Sequence, residues 1–293
     1  MLGHGELGGA VARLAEAFGM RVLLGQLPGR PARADRLPLH ELLPQVDALT
    51  LHCPLNEQTR NMIGAEELTL MKPRAFLINT ARGGLVDEQA LADALRTQER
   101  FAESIAPYDE AIRRIGPPEP RHWAVFFARG ISHERNGDFK SAEADLRASL
   151  KLSPDQPSVL NYLGYSFVDR GENLEEALGM IQRAVAAQPD SGAITDSLAW
   201  AYFRLGRYED AVEPMERASL LEPVDPIVTD HLGDVYWAVG RKLEAQFQWR
   251  RALSFDPEEK EATRIRKKLE VGLDQVLIDE GKPPITPVVA DGN

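Results

Sequence analysis

The stretch DSLAWAYFRLGRYEDAVEPMERASLLEP, residues 196–223, decides the fold. It places a small residue, Ala199, inside one helical pattern and a glycine, Gly206, where that pattern stops; a second small residue, Ala211, and a closing proline, Pro223, follow. Each position recurs along the chain. Pro154, Pro189, Pro223 and Pro257 are separated by 35, 34 and 34 residues, and three further columns keep step: Gly130, Gly164, Ala199 and Gly233; Gly137, Gly171, Gly206 and Gly240; Ala142, Ala177, Ala211 and Ala245. Four columns in register define a repeated helical hairpin. The first small residue lets two helices approach, the glycine opens the turn, and the proline cannot continue the second helix. One hairpin cannot bury its apolar face, whereas stacked hairpins can. The second unit carries one inserted residue near Asn173.

The repeats occupy residues 123–257. Before them, ERFAESIAPYDEAIRRIGPP in the 99–122 junction reads as the second helix of an earlier unit. After them, 258–279 reads as one charged terminal helix that solvates the open end, and 280–293 as a disordered tail. Residues 1–98 follow a different pattern. Candidate strands Arg21–Leu24, Ala48–Leu51 and Ala75–Asn79 alternate with candidate helices Glu6–Phe18, Ala65–Met71 and Asp87–Leu95, the order of a parallel sheet built from strand-helix-strand units. The fold class expected is mixed: a truncated Rossmann-like α/β segment followed by an all-α superhelix of hairpins.

Charge divides the same way. Residues 1–98 carry 10 Lys+Arg against 11 Asp+Glu, while the remainder carries 24 against 34, which argues against nucleic acid or an anionic membrane as partner. The single cysteine, Cys53, excludes an internal disulfide and a thiolate metal cluster, and no metal is expected. Neither a membrane-spanning run nor a signal peptide is legible, so a cytoplasmic protein is expected.

The repeat section resembles tetratricopeptide repeats, in WAVFFARGISHERNGDFKSAEADLRASLKLSP, in NYLGYSFVDRGENLEEALGMIQRAVAAQP and in the two units that follow. The resemblance implies a right-handed superhelix whose concave face, lined by the first helix of each pair, binds proteins or peptides. Asn161, Tyr162, Tyr165, Asp169, Asp196, Trp200, Phe203, Asp230, Asp234 and Trp237 are expected to project there, giving an aromatic and acidic groove suited to an extended segment with basic or apolar anchors. The alternative for each aromatic is packing between helices.

The first section resembles the nucleotide-binding domain of D-isomer-specific 2-hydroxyacid dehydrogenases, in GHGELGGAVA, LTLHCPLNEQTRNMI and MKPRAFLINTARGGLVDEQALADAL. In that family the loop matching Gly3, Gly5, Glu6, Leu7 and Gly8 holds the cofactor pyrophosphate. Residues matching Cys53, Pro54, Thr80 and Ala81 line the nicotinamide channel, and the arginine matching Arg82 orients the substrate. Cys53 read by itself is a small buried apolar residue. The ribose-gripping acid falls near Gln26, a neutral residue that weakens NAD, while Arg30 reads either as a 2'-phosphate contact that would favour NADP or as a solvated loop arginine. Only Met1 and Leu2 stand where the first strand belongs, and hydride transfer needs a histidine and a glutamate that lie beyond the LADAL helix, where repeat sequence begins at 97–101. His122, His133 and His231 fall on repeat helices, and His52 reads as structural or channel-lining. A scaffold with a catalytically inactive dehydrogenase fragment is therefore expected, ahead of a cofactor-binding module or a residual oxidoreductase.

Overall fold

The computed structural model describes residues 1–285, so the end of the expected tail, 286–293, lies outside the described residues. The chain forms two compact units, divided after Leu152.

In the first unit, β1 (Ala48–Leu51) and β2 (Phe76–Asn79) pair in parallel, with Ala48 opposite Phe76 and Leu51 opposite Asn79. The view that the front strand is missing needs amending. Leu2 lies in its place: its N–H donates to the Thr50 carbonyl at 2.9 Å, its carbonyl accepts from the His52 N–H at 2.7 Å, and it bridges Gly25 on its other side. Gly25 in turn bridges Leu37, so the spatial order is Leu37, Gly25, Leu2, β1, β2, all parallel. This is the 3-2-1-4-5 order of a doubly wound sheet. The strand expected at Arg21–Leu24 is reduced to that bridging position at Gly25, whose N–H donates to the Met1 carbonyl at 2.9 Å. Leu2, Leu49, Leu51, Ile63 and Leu85, all fully buried, form the core with Cys53.

Helix α1 (Glu6–Ala17) follows the glycine loop, α2 (Leu39–Leu42) precedes β1, and α3 (Ala65–Leu70) connects β1 to β2. Helix α4 (Glu88–Thr97) starts at Asp87, whose carboxylate accepts from the Ala90 N–H at 3.0 Å. Three residues later comes α5 (Phe101–Ile115), packed along α4. Tyr108 of α5 is fully buried; its hydroxyl donates to Asp93 of α4 and accepts from Arg96 Nε at 3.2 Å. The half-repeat expected at 99–122 is thus completed by the last helix of the α/β segment. Helices α6 (Trp123–Arg135) and α7 (Phe139–Leu152) form the next hairpin, where Ser132 bonds Ser104 of α5 at 2.8 Å.

The second unit continues with hairpins α8/α9 (Pro157–Arg170, Leu174–Ala187), α10/α11 (Gly192–Arg204, Tyr208–Leu221) and α12/α13 (Pro226–Ala238, Lys242–Leu253). The columns do the work their chemistry suggests. Gly137, Gly171, Gly206 and Gly240 all take positive φ, from 70° to 86°, and all four alanines of the second-helix column are fully buried. A fifth column closes each repeat on the one before it: Arg183, Arg217 and Arg251 donate to the carbonyls of Pro154, Pro189 and Pro223 at 2.7, 2.8 and 2.6 Å. The terminal segment is two helices, α14 (Glu259–Val271) and α15 (Leu273–Asp279), broken at Gly272 with φ 85°. Residues 280–285 are not a free tail: Ile285 packs on the repeat core and its N–H reaches Asp274 at 3.2 Å.

Candidate functional site

Two places follow from the fold. The first is the glycine loop at the carboxyl end of the Leu2 position. Gly3 has φ 91°, and a Cβ there would lie 2.6 Å from the His52 carbonyl. A Cβ on Gly8 would lie 2.1 Å from the Gly3 oxygen, which locks helix α1 against the strand. Gly5, the residue before α1, faces open space. These are the three demands of a pyrophosphate cradle: a tight turn, close packing of helix on strand, and an unobstructed approach to a helix N-terminus, here the amides of Glu6, Leu7 and Gly8. The loop fits a dinucleotide.

The remaining expected cofactor residues divide. Cys53 is in the core at 3% exposure, and burial pushes its thiol up, so it does not line a channel. Pro54 is exposed, and its carbonyl accepts from the Thr59 hydroxyl at 2.8 Å. The Gln26 amide nitrogen braces a turn, donating to the carbonyls of Leu27, Arg30 and Pro31 at 3.2, 3.0 and 3.1 Å, while its Oε1 is buried without a donor among the described residues. Both ring nitrogens of His52 are buried without partners, and burial holds its pKa below the usual imidazole value. Thr80 and Ala81 open onto a cavity of about 650 Å³ with Arg82, whose carbonyl accepts from Asn79 Nδ2 at 2.8 Å and whose guanidinium donates to the Ala81 carbonyl at 3.0 Å. Arg100, just before α5, and Glu103 of α5 complete the wall; among the described residues no histidine lines it.

The second place is the inner face of the second unit, and here the expected groove is largely filled from within. Lys268 of α14, fully buried, donates to both oxygens of Asp230 (2.8 and 2.7 Å) and of Asp234 (2.6 and 2.8 Å). Asp234 also accepts from Trp249 Nε1 at 2.9 Å, and Arg264 stands 3.6 Å from it. Asp196 bonds His231 Nδ1 at 3.0 Å, and Trp200 stacks between His231 and Phe203 with ring centroids 4.1 and 4.7 Å away. Trp237 donates to Asp274 at 2.7 Å beneath the Lys242 ammonium. Asp196, Phe203 and Asp234 are therefore interior groups, not groove-lining ones, whereas Asp230 and Trp237 are half-buried and each is already bonded within the chain; a buried carboxylate needs a paired cation, and this chain supplies it. Asn161, Tyr162, Tyr165 and Trp200 remain half-buried, and Asp169 is exposed. Burial first, then the charges of Asp196 and Asp169, push the Tyr165 phenol up to about 12, so it stays neutral. The sequence reading missed Lys268, whose signal was a lysine among apolar spacings on a helix taken as solvated. It also missed the arginine column, which keeps the 34-residue step of the prolines.

Comparison with known proteins assigns both parts. Residues 1–103 match the D-isomer specific 2-hydroxyacid dehydrogenase NAD binding domain, and residues 90–157, 127–191 and 161–221 match the tetratricopeptide repeat. The class is thus a dehydrogenase-type NAD-binding domain followed by tetratricopeptide repeats, and the two matches overlap on α4 and the start of α5. A putative 2-hydroxyacid dehydrogenase of Haemophilus influenzae is 51% identical over 98 residues, 33% of this chain and 31% of that protein. A glycerate dehydrogenase of Methylorubrum extorquens is 51% identical over 96 residues, 33% of this chain and 30% of that protein. The chain thus spans about a third of the length of these relatives. Among solved structures, a thermophilic TPR protein of Thermus thermophilus covers 63% of this chain and 98% of its own at 19% identity and TM-score 0.51. The pilF protein of Pseudomonas aeruginosa covers 66% and 84% at 16% identity and TM-score 0.53. Both show the repeat fold. Among the described residues no helix is long and apolar enough to cross a membrane.

Proposed function

We propose that the chain is a cytoplasmic tetratricopeptide scaffold that takes a protein or peptide partner along its repeats and carries a dehydrogenase-type segment without hydride-transfer activity. The observation that carries this reading is the succession of in-register hairpins from α6 to α13, closed by the arginine column. Arg82 supports the negative half: among the described residues its cavity provides a guanidinium for a carboxylate but no imidazole to move a proton. Turnover assays with NADH and hydroxypyruvate or glyoxylate are expected to give no rate above the uncatalysed one. Oxidation that disappears in Arg82→Ala would overturn the proposal.

A second reading, cofactor binding without turnover, is favoured by the shape of the Gly3–Gly8 loop. A bound dinucleotide would be held at its pyrophosphate by the amides of Glu6, Leu7 and Gly8, and among the described residues the cavity beside Arg82 offers the carboxyl groups of Glu88 and Glu103 but no imidazole. Titration of NADH and NADPH, followed by nucleotide fluorescence, is expected to saturate for the full chain and to fail for Gly5→Val, which fills the open approach.

A further inference from the structure

A cavity of about 570 Å³ lies on the inner face of the second unit, between Tyr165 of α8, the start of α12 and helix α14. Most charges on its wall are already spent. Asp230 is held by Lys268; Arg264 Nε bonds Glu280 at 2.7 Å, and Lys282 bonds the same carboxylate at 3.0 Å. Two groups keep unused hydrogen-bonding capacity. Among the described residues no donor reaches Glu261 Oε2, which is buried, and the Tyr165 hydroxyl makes no hydrogen bond. Ile227, 52% exposed beside Pro226 and Pro257, gives the cavity an apolar side.

An acceptor shut away from water without a donor is costly, and a carboxylate oxygen more so than a carbonyl. Lys260 at the rim is a cation without a carboxylate partner, but it is exposed and hydrated, so its unpaired state costs little. The demand that dominates is for a donor. We infer that this cavity binds a lysine or arginine side chain of an extended partner segment, its aliphatic stem on Ile227 and its cationic head on Glu261 and Tyr165. This rests on the scaffold reading above and names the partner's chemistry.

The test uses the full chain and blocked, fluorescein-labelled octapeptides that carry a central Lys, Arg, norleucine or Glu between leucines. Affinity is read by fluorescence polarisation and the contact site by amide chemical shifts. The Lys and Arg peptides are expected to bind at least tenfold more tightly than the norleucine peptide and to shift residues around Tyr165 and Glu261. Glu261→Gln, whose fold is checked by circular dichroism, is expected to erase at least fivefold of that preference, and Tyr165→Phe to reduce it. Equal or tighter binding of the norleucine or Glu peptide, or an unchanged preference in folded Glu261→Gln, overturns the inference. If peptides bind elsewhere on the repeats, the scaffold reading survives and this subsite does not; if no peptide moves any repeat resonance, both fail.

Discussion

Gly179 and Gly233 both lie inside helices, and only Gly233 has to be glycine. A Cβ on Gly179 meets nothing within 4 Å, so Gly179→Ala is expected to raise stability by about 1 kcal/mol through helix propensity. On Gly233 it would lie 2.4 Å from the Trp249 ring, which cannot withdraw because its Nε1 is bound to Asp234. Gly233→Ala is therefore expected to lower stability by about 1–3 kcal/mol despite the same propensity gain; denaturant titration distinguishes the two signs. His231 carries a pH dependence. Burial alone would depress its pKa, but the charge and hydrogen bond of Asp196, with Asp230 and Asp234 adding, raise it above the usual 6.5. A raised folded value means the stabilisation is complete below about pH 6.5 and is lost as pH climbs through that folded value. Melting curves are expected to fall between pH 6 and pH 9, with a shallower fall in His231→Gln; an equal fall in both would assign the effect elsewhere.

Helix α14 shows how one lysine changes the meaning of an element. Its buried face is Ala262, Ile265 and Lys268, and Lys268 alone stands against two buried carboxylates at hydrogen-bonding distance. Lys268→Ala is expected to cost about 3–5 kcal/mol, because it removes the hydrogen-bonded cation and leaves Asp230 and Asp234 only the longer contacts to Arg264, at 4.0 and 3.6 Å. The triple variant Lys268→Met, Asp230→Asn, Asp234→Asn is expected to recover much of that loss, as measured by thermal melts. This element also marks the limit of the sequence reading. The hairpins and their turns were legible because small residues and prolines recur at a fixed step, and β1 was placed to the residue because an apolar run was bounded by polar ones. The groove was not legible. Asp196, Asp230 and Asp234 project inward as helix periodicity requires, but whether they meet solvent depends on His231 and Lys268, the latter 34 residues or more along the chain, and no local pattern reports such a partner. The same holds for Leu2, whose place in the sheet is fixed by residues 25 and 51 and not by its own neighbours.

At the scale of the molecule, the first unit holds the α/β segment together with α5, α6 and α7, so the boundary between the two families does not coincide with a boundary in packing. Tyr108 joins α5 to Asp93 and Arg96 of α4, and Arg114 of α5 bonds Glu88 at 3.0 Å. Tyr108→Ala is expected to remove about 3–5 kcal/mol from the first unit and to speed amide exchange on both sides of the family junction, in α4 as well as in α6; protection lost on one side only would show that the two fold independently. The three-residue turn between α4 and α5 has a mechanical meaning. Drawn out fully, three residues span only about 10 Å, so a partner tugging on the repeats would find almost no slack before its load reached the sheet. Stretched in an optical trap with handles at either side of this turn, the α/β segment and its adjoining hairpin would rupture as one event, with a single step in extension.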